Sequence, residues 1–195
     1  MLKDMIKQTV YAVSVTETRP VLTGVKWMIN DGKLSCVATD SHRLAQRSVS
    51  VENGEASGAH ILVIPGSSLN ELSKILDDDD EQLVDIVMTA NQILFKSNNV
   101  QFYSRLLDGN YPDTSRLIPT ESKTTIDLAT KDLYRAIERA SLLAKEERNN
   151  VVKLRAEGNQ VEISSQSLEL GRVLKHSSRN VLTENRCVFL LALNL

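Results

Sequence analysis

The stretch "KWMINDGKLSCVATDSHRLAQRSV", Lys26 to Val49, decides how the rest of the chain is read. Its first half holds two runs of strand-forming residues separated by Asp31-Gly32, a pair suited to the positive φ angles of a tight hairpin turn. The second strand of that hairpin ends in Thr39, Asp40, Ser41, His42 and Arg43, five polar residues in succession. Such a density of polar groups suits an active site. It equally suits a strand terminus whose side chains satisfy the backbone of a turn.

The catalytic reading is the weaker. Asp40, Ser41 and His42 supply the residue types of a hydrolase triad, but triad members converge from separated segments, and neighbours along a strand point to opposite faces. The sequence has no Gly-x-Ser-x-Gly elbow and no phosphate-binding glycine loop. His42, His60 and His176 share no ligand spacing, and the acidic run Asp77 to Glu81 lacks the alternation and glycine of a calcium loop. The expectation is therefore no catalytic residue, no metal and no cofactor. An esterase-like enzyme would require a nucleophile whose partners the sequence does not offer.

Outward from the hairpin, the chain organises into helix-and-strand units. Upstream, "LKDMIKQTVYAV" places Leu2, Met5, Ile6, Val10 and Val13 on one helical face, with Lys3 and Lys7 on another. Downstream, Gly54 and Gly58 mark a loop between strands, and Pro65-Gly66 introduces a short helix in which Ser68 and Glu71 have capping-box spacing. Three strand-like segments follow the acidic run, joined by Ala90-Asn91 and Asn98-Asn99 turns, so a meander is expected. A turn-rich segment, "DGNYPDTSRLIPTESK", then ends the first unit.

Beyond it the pattern restarts. "TKDLYRAIERASLLA", with Thr130 as its expected N-cap, repeats the period of the first helix, and "EGNQVEISSQSLELGRV" echoes the hairpin, Gly158 standing for Gly32. Helix, strand pair and polar strand end recur in order, which predicts an internal repeat and, within the first unit, a smaller half-sized one.

Charge is segregated along the chain. Residues 1–48 carry seven basic and four acidic side chains, residues 49–130 five and thirteen, and residues 131–155 seven and four. On the repeated helix Lys131, Arg135 and Arg139 are spaced i, i+4, i+8 and form one basic ridge, as Lys3 and Lys7 do on the first. Ridges without interleaved aromatics suit duplex phosphates better than unstacked bases, and only 4% of the residues are aromatic. Cys36 and Cys187 have no metal-ligand spacing and are expected to be reduced, as in cytosol. The longest apolar run, "CVFLLAL", is far too short to span a bilayer as a helix, so a cytoplasmic protein without a membrane partner is expected.

Three blocks in order, "TRPVLTGV", "ATDSHRLA" and "LLDGNYPD" with "RLIP", resemble the middle domain of the bacterial DNA polymerase III beta subunit family, the sliding clamps, and the resemblance runs from about residue 2 to residue 173. It implies an α+β fold of repeated helix-plus-antiparallel-sheet units, the DNA clamp type, with helices lining a pore around duplex DNA. It implies a non-catalytic processivity factor, cytoplasmic, forming a ring-shaped homodimer when complete. It also implies a peptide-binding pocket at the polar strand end, lined by Leu22, Thr39, Ser41, His42, Arg43, Leu44, Pro112 and Leu117, which captures short linear motifs of the replicative polymerase, the clamp loader and repair proteins. Lys3, Lys7, Lys131, Arg135 and Arg139 would face the DNA.

The same resemblance divides the chain into 1–119 (a middle domain without its first strand), 120–173 (the first half of a last domain) and 174–195, a divergent or out-of-frame tail. The chain is thus expected to be a fragment. The competing reading from another class is a stand-alone peptide-binding adaptor that never engages DNA.

Overall fold

The computed structural model describes residues 1–51, 58–77, 83–97, 100–118, 124–145, 151–157, 160–167, 171–178 and 186–191. The expected loop glycine Gly54, most of the acidic run, the Asn98-Asn99 turn, Pro119 and Gly158 lie outside the described residues. The chain divides into two compact units, Met1–Ser115 and Arg116–Leu195. The division falls a little before residue 119; near it Thr114 is buried, and Asp113 accepts hydrogen bonds from the Ser115 amide and hydroxyl.

In the first unit, α1 (Leu2–Thr9) passes into a 3-10 turn over Val10–Ala12. The apolar spacing read from sequence dictates which side is buried: Met5, Ile6, Val10 and Ala12 enter the core. Thr9 shares that buried face and satisfies its hydroxyl by donating to the carbonyls of Met5 and Ile6. A further 3-10 turn (Pro20–Thr23) leads into β1 (Gly24–Asn30), β2 (Lys33–Thr39) and β3 (Leu44–Ser50), an antiparallel meander. Asp31 and Gly32 both take positive φ, 47° and 71°, as the hairpin required.

The pattern then repeats. β4 (His60–Pro65) joins the other side of β1, giving the order β3-β2-β1-β4, and α2 (Gly66–Ile75) follows at once. β5 (Asp85–Met88), β6 (Gln92–Ser97) and β7 (Val100–Arg105) form the expected second meander. Trp27 of the first sheet meets Phe95 of the second edge-to-face at 5.8 Å, so the two sheets and both helices share one core. At Gly24 a methyl group would come within 2.6 Å of Val63 Cγ1 and 2.8 Å of the Ile64 carbonyl, a close strand approach that only glycine permits.

The capping box expected at Ser68 and Glu71 does not form. The helix starts three residues earlier, directly after Pro65, without a side-chain cap. Ser68 instead accepts a 2.8 Å hydrogen bond from Ser104 on β7, and Glu71 pairs with Lys74. A long-range partner and an i, i+3 ion pair have taken the groups that a local motif would have used.

The second unit holds β8 (Thr124–Ala129), α3 (Thr130–Ala144), β9 (Lys153–Glu157), β10 (Gln160–Ser167) and β11 (Gly171–Ser178). Its order, a helix followed by the meander β11-β10-β9, is that of the first unit. Thr130 is the first residue of the helix rather than its N-cap, which is Ala129. The expected divergent tail supplies β12 (Arg186–Leu191), antiparallel to β8 with Arg186 opposite Ala129 and Leu191 opposite Thr124. A run rich in Val, Phe and Leu has a strong preference for strand, and β8 offers it an edge.

Candidate peptide pocket and nucleic-acid face

The polar strand end is a closed network of hydrogen bonds. The Thr39 hydroxyl donates 2.7 Å to the Arg43 carbonyl and accepts from the Ser41 amide at 3.1 Å. Asp40 Oδ1 accepts from the amides of His42 and Arg43 at 2.9 and 3.0 Å, while Oδ2 accepts from Arg43 Nε at 3.1 Å. These backbone donors, then the Arg43 guanidinium, hold the Asp40 carboxyl below its ordinary value. Ser41 is forced to a φ of 77°, a conformation that L residues rarely adopt.

Around this loop the expected pocket residues differ in what they offer. Ser41, His42 and Arg43 are exposed, Leu44 is half-buried and Pro112 is exposed. Thr39 and Leu22 are buried, so their side chains offer little surface of their own. Leu117 lies in the second unit and is 59% exposed.

Two aromatic residues that the sequence reading passed over organise the loop. The Thr39 amide donates 3.1 Å to the Tyr111 hydroxyl, which brings the segment carrying Pro112 to the strand end. Burial raises the Tyr111 phenol above its usual value, an effect that this hydrogen bond opposes. The Arg43 guanidinium lies over the Tyr11 ring, 5.7 Å from its centroid. The signal for Tyr111 was present in the sequence as the residue before Pro112; nothing local pointed to Tyr11. A separate cleft of about 290 Å³ runs past Tyr111 between Lys26 and Asp108, and none of the expected pocket residues lines it.

The basic residues are equally unequal. On α3, Leu133, Ala136, Ala140 and Ala144 are buried, and the Ser165 hydroxyl of β10 donates 2.6 Å to the Ala140 carbonyl. With that side fixed to the sheet, Lys131, Arg135 and Arg139 are all exposed. On α1, Lys7 is exposed, whereas Lys3 is half-buried and donates 3.0 Å from Nζ to the Leu76 carbonyl at the end of α2. Its charge complements the negative end of that helix. No group of metal-ligating side chains occurs among the described residues, and no helix there is long and apolar enough to cross a membrane.

Comparison with known proteins bears on both faces. Residues 1–113 match the family model of the DNA polymerase III beta subunit central domain, and residues 115–186 match that of its C-terminal domain. The second match continues past Val173, where the expected tail begins. The Beta sliding clamp of Bacillus subtilis is 58% identical over 176 residues, covering 90% of this chain and 46% of that protein. The clamp of Halalkalibacterium halodurans is 53% identical over 178 residues, covering 90% of this chain and 47% of that protein. The chain thus spans about half the length of these relatives. The crystal structure of the Bacillus subtilis DNA polymerase sliding clamp superposes with a TM-score of 0.87 at 55% identity, over 96% of this chain and 49% of that one. The DNA polymerase III beta chain from Streptococcus pneumoniae gives a TM-score of 0.84 at 42% identity, over 96% of this chain and 50% of that one.

Proposed function

We propose that this chain, which belongs to the DNA polymerase III beta subunit family, carries two working surfaces of a sliding clamp: a basic helix face that guides duplex DNA and a pocket that holds partner peptides. Its role is non-catalytic. Retention on DNA is topological in the assembled ring, a homodimer of longer chains, so the basic helices need only weak, sequence-independent contacts with phosphates.

The observation that carries this reading is the division of α3 into a buried alanine-rich side and an exposed ridge of Lys131, Arg135 and Arg139. An ordinary surface helix has no need to keep three like charges in one row, since repulsion between i, i+4 neighbours costs a few tenths of a kcal/mol per pair. A polyanion along the ridge turns that cost into attraction.

For the pocket, exposed Pro112 and half-buried Leu44 supply apolar contact, while His42 and Arg43 offer polar groups at the rim. Short linear motifs of the replicative polymerase, the clamp loader and repair proteins are the proposed ligands, in the cytoplasm.

The test is retention. Carried in a protein of the relatives' full length and loaded onto nicked circular DNA, the chain should survive gel filtration in high salt and be lost once the DNA is cut. Equal loss from circular and linear DNA, with peptide binding intact, would instead establish a stand-alone adaptor.

A further inference from the structure

We propose that Asp40 is the positioning residue of the peptide pocket: it locks Ser41 in its left-handed conformation and sets the pose of the Arg43 guanidinium, while its own side chain stays mostly covered. The inference rests on the pocket reading above and adds to it a residue that was not among the expected lining.

Both oxygens of Asp40 are committed inward. Oδ1 takes the amides of His42 and Arg43, and Oδ2 takes Arg43 Nε. The Asp40 side chain is only 20% exposed beside an Arg43 side chain at 56%. Between them Ser41 sits at a φ of 77°, which a serine leaves readily unless its neighbours hold it. The same grip restrains Arg43, whose guanidinium lies over the exposed Tyr11 ring. Without the carboxylate, Ser41 relaxes to negative φ, the amides of His42 and Arg43 lose their acceptor, and both side chains leave the positions that a peptide would meet. Pre-organisation of this kind lowers the ordering cost on binding.

The chemistry of the bracket separates it from a general contribution to folding. Asparagine retains an oxygen that accepts from both amides, so Asp40→Asn should keep the loop. Glycine is at ease with positive φ, so Ser41→Gly should restore part of what Asp40→Ala removes.

The experiment is titration of the 195-residue chain with a fluorescein-labelled peptide copied from the clamp-binding motif of the replicative polymerase. The parent is compared with Asp40→Ala, Asp40→Asn, Ser41→Gly and Asp40→Ala/Ser41→Gly. Expected are a loss of about tenfold for Asp40→Ala, retention within about threefold for Asp40→Asn, and binding by the double variant within about threefold of Ser41→Gly. The Arg43 Nε–H resonance of the free protein should move in Asp40→Ala. A parent that binds while Asp40→Ala binds equally well overturns the proposal and leaves the pocket standing. So does an Asp40→Ala loss that neither asparagine nor glycine relieves. A parent that fails to bind removes the pocket, and the positioning role with it.

Discussion

Replacing Leu44 with aspartate is the sharpest perturbation of the proposed pocket. Complete burial of a leucine stabilises by about 1.5–3 kcal/mol. With Leu44 half-buried, a peptide that covers it has about half of that still to gain, or about three- to twelvefold in Kd. Aspartate forfeits that gain and adds a carboxylate that must be desolvated without a partner, so the combined loss should exceed about a hundredfold. Ser41→Ala is the control: it is exposed, and exchanging a hydrogen bond with water alters binding by about 1 kcal/mol or less. Circular dichroism of both variants separates loss of binding from loss of fold. Fluorescence anisotropy with the labelled peptide gives the two Kd values. An active site would order them the other way, and a folded Leu44→Asp binding like the parent, or Ser41→Ala losing more, would refute the reasoning.

Three further outcomes follow from individual side chains. Burial pushes the Cys36 thiol up to about 12, so at pH 8 iodoacetamide should leave it unmodified in the native protein and alkylate it in urea, peptide mapping separating it from Cys187; fast native labelling of Cys36 would contradict its burial. Because the Asp40 carboxyl is held below its ordinary value of 3.8, its stabilisation of the loop is complete above that value and lost as pH falls through the lowered one. The Arg43 Nε–H resonance should therefore be constant from about pH 7 to 5 and move only in stronger acid, whereas a midpoint near pH 6 would assign the transition to another group. Lys3→Gln should lower Tm by about 2–5 °C through loss of the bond to Leu76, with less effect on DNA affinity than Lys7→Gln; the reverse pattern would put Lys3 on the DNA and Lys7 in the fold.

What could be read from sequence was what neighbouring residues decide. Asp31-Gly32 specified its turn because both positions need positive φ, and the buried face of α1 followed from apolar spacing alone. What escaped was decided at a distance. Ser68 belongs to Ser104, thirty-six positions away, rather than to a capping box, and Lys3 belongs to Leu76, seventy-three positions away. The strand Arg186–Leu191 finds its partner in β8 across most of the second unit, a pairing that no neighbouring residue specifies. In the polar stretch the general role was visible, a strand end whose side chains satisfy a turn, but the partners were not: only the direction of the Asp40 oxygens, toward two backbone amides and an arginine, reveals a bracket.

The claim that α3 presents its ridge to duplex DNA is tested most directly by the salt dependence of binding. Each phosphate contact contributes about 0.9 to the slope of log K against log salt, so neutralising Lys131, Arg135 and Arg139 to glutamine should flatten that slope by up to about 2.7. The comparison uses fluorescence anisotropy on two duplexes of unrelated sequence, from low to moderate salt. The account predicts weaker binding, a flatter slope and the same loss on both duplexes. An unchanged slope, or a loss confined to one sequence, would contradict it.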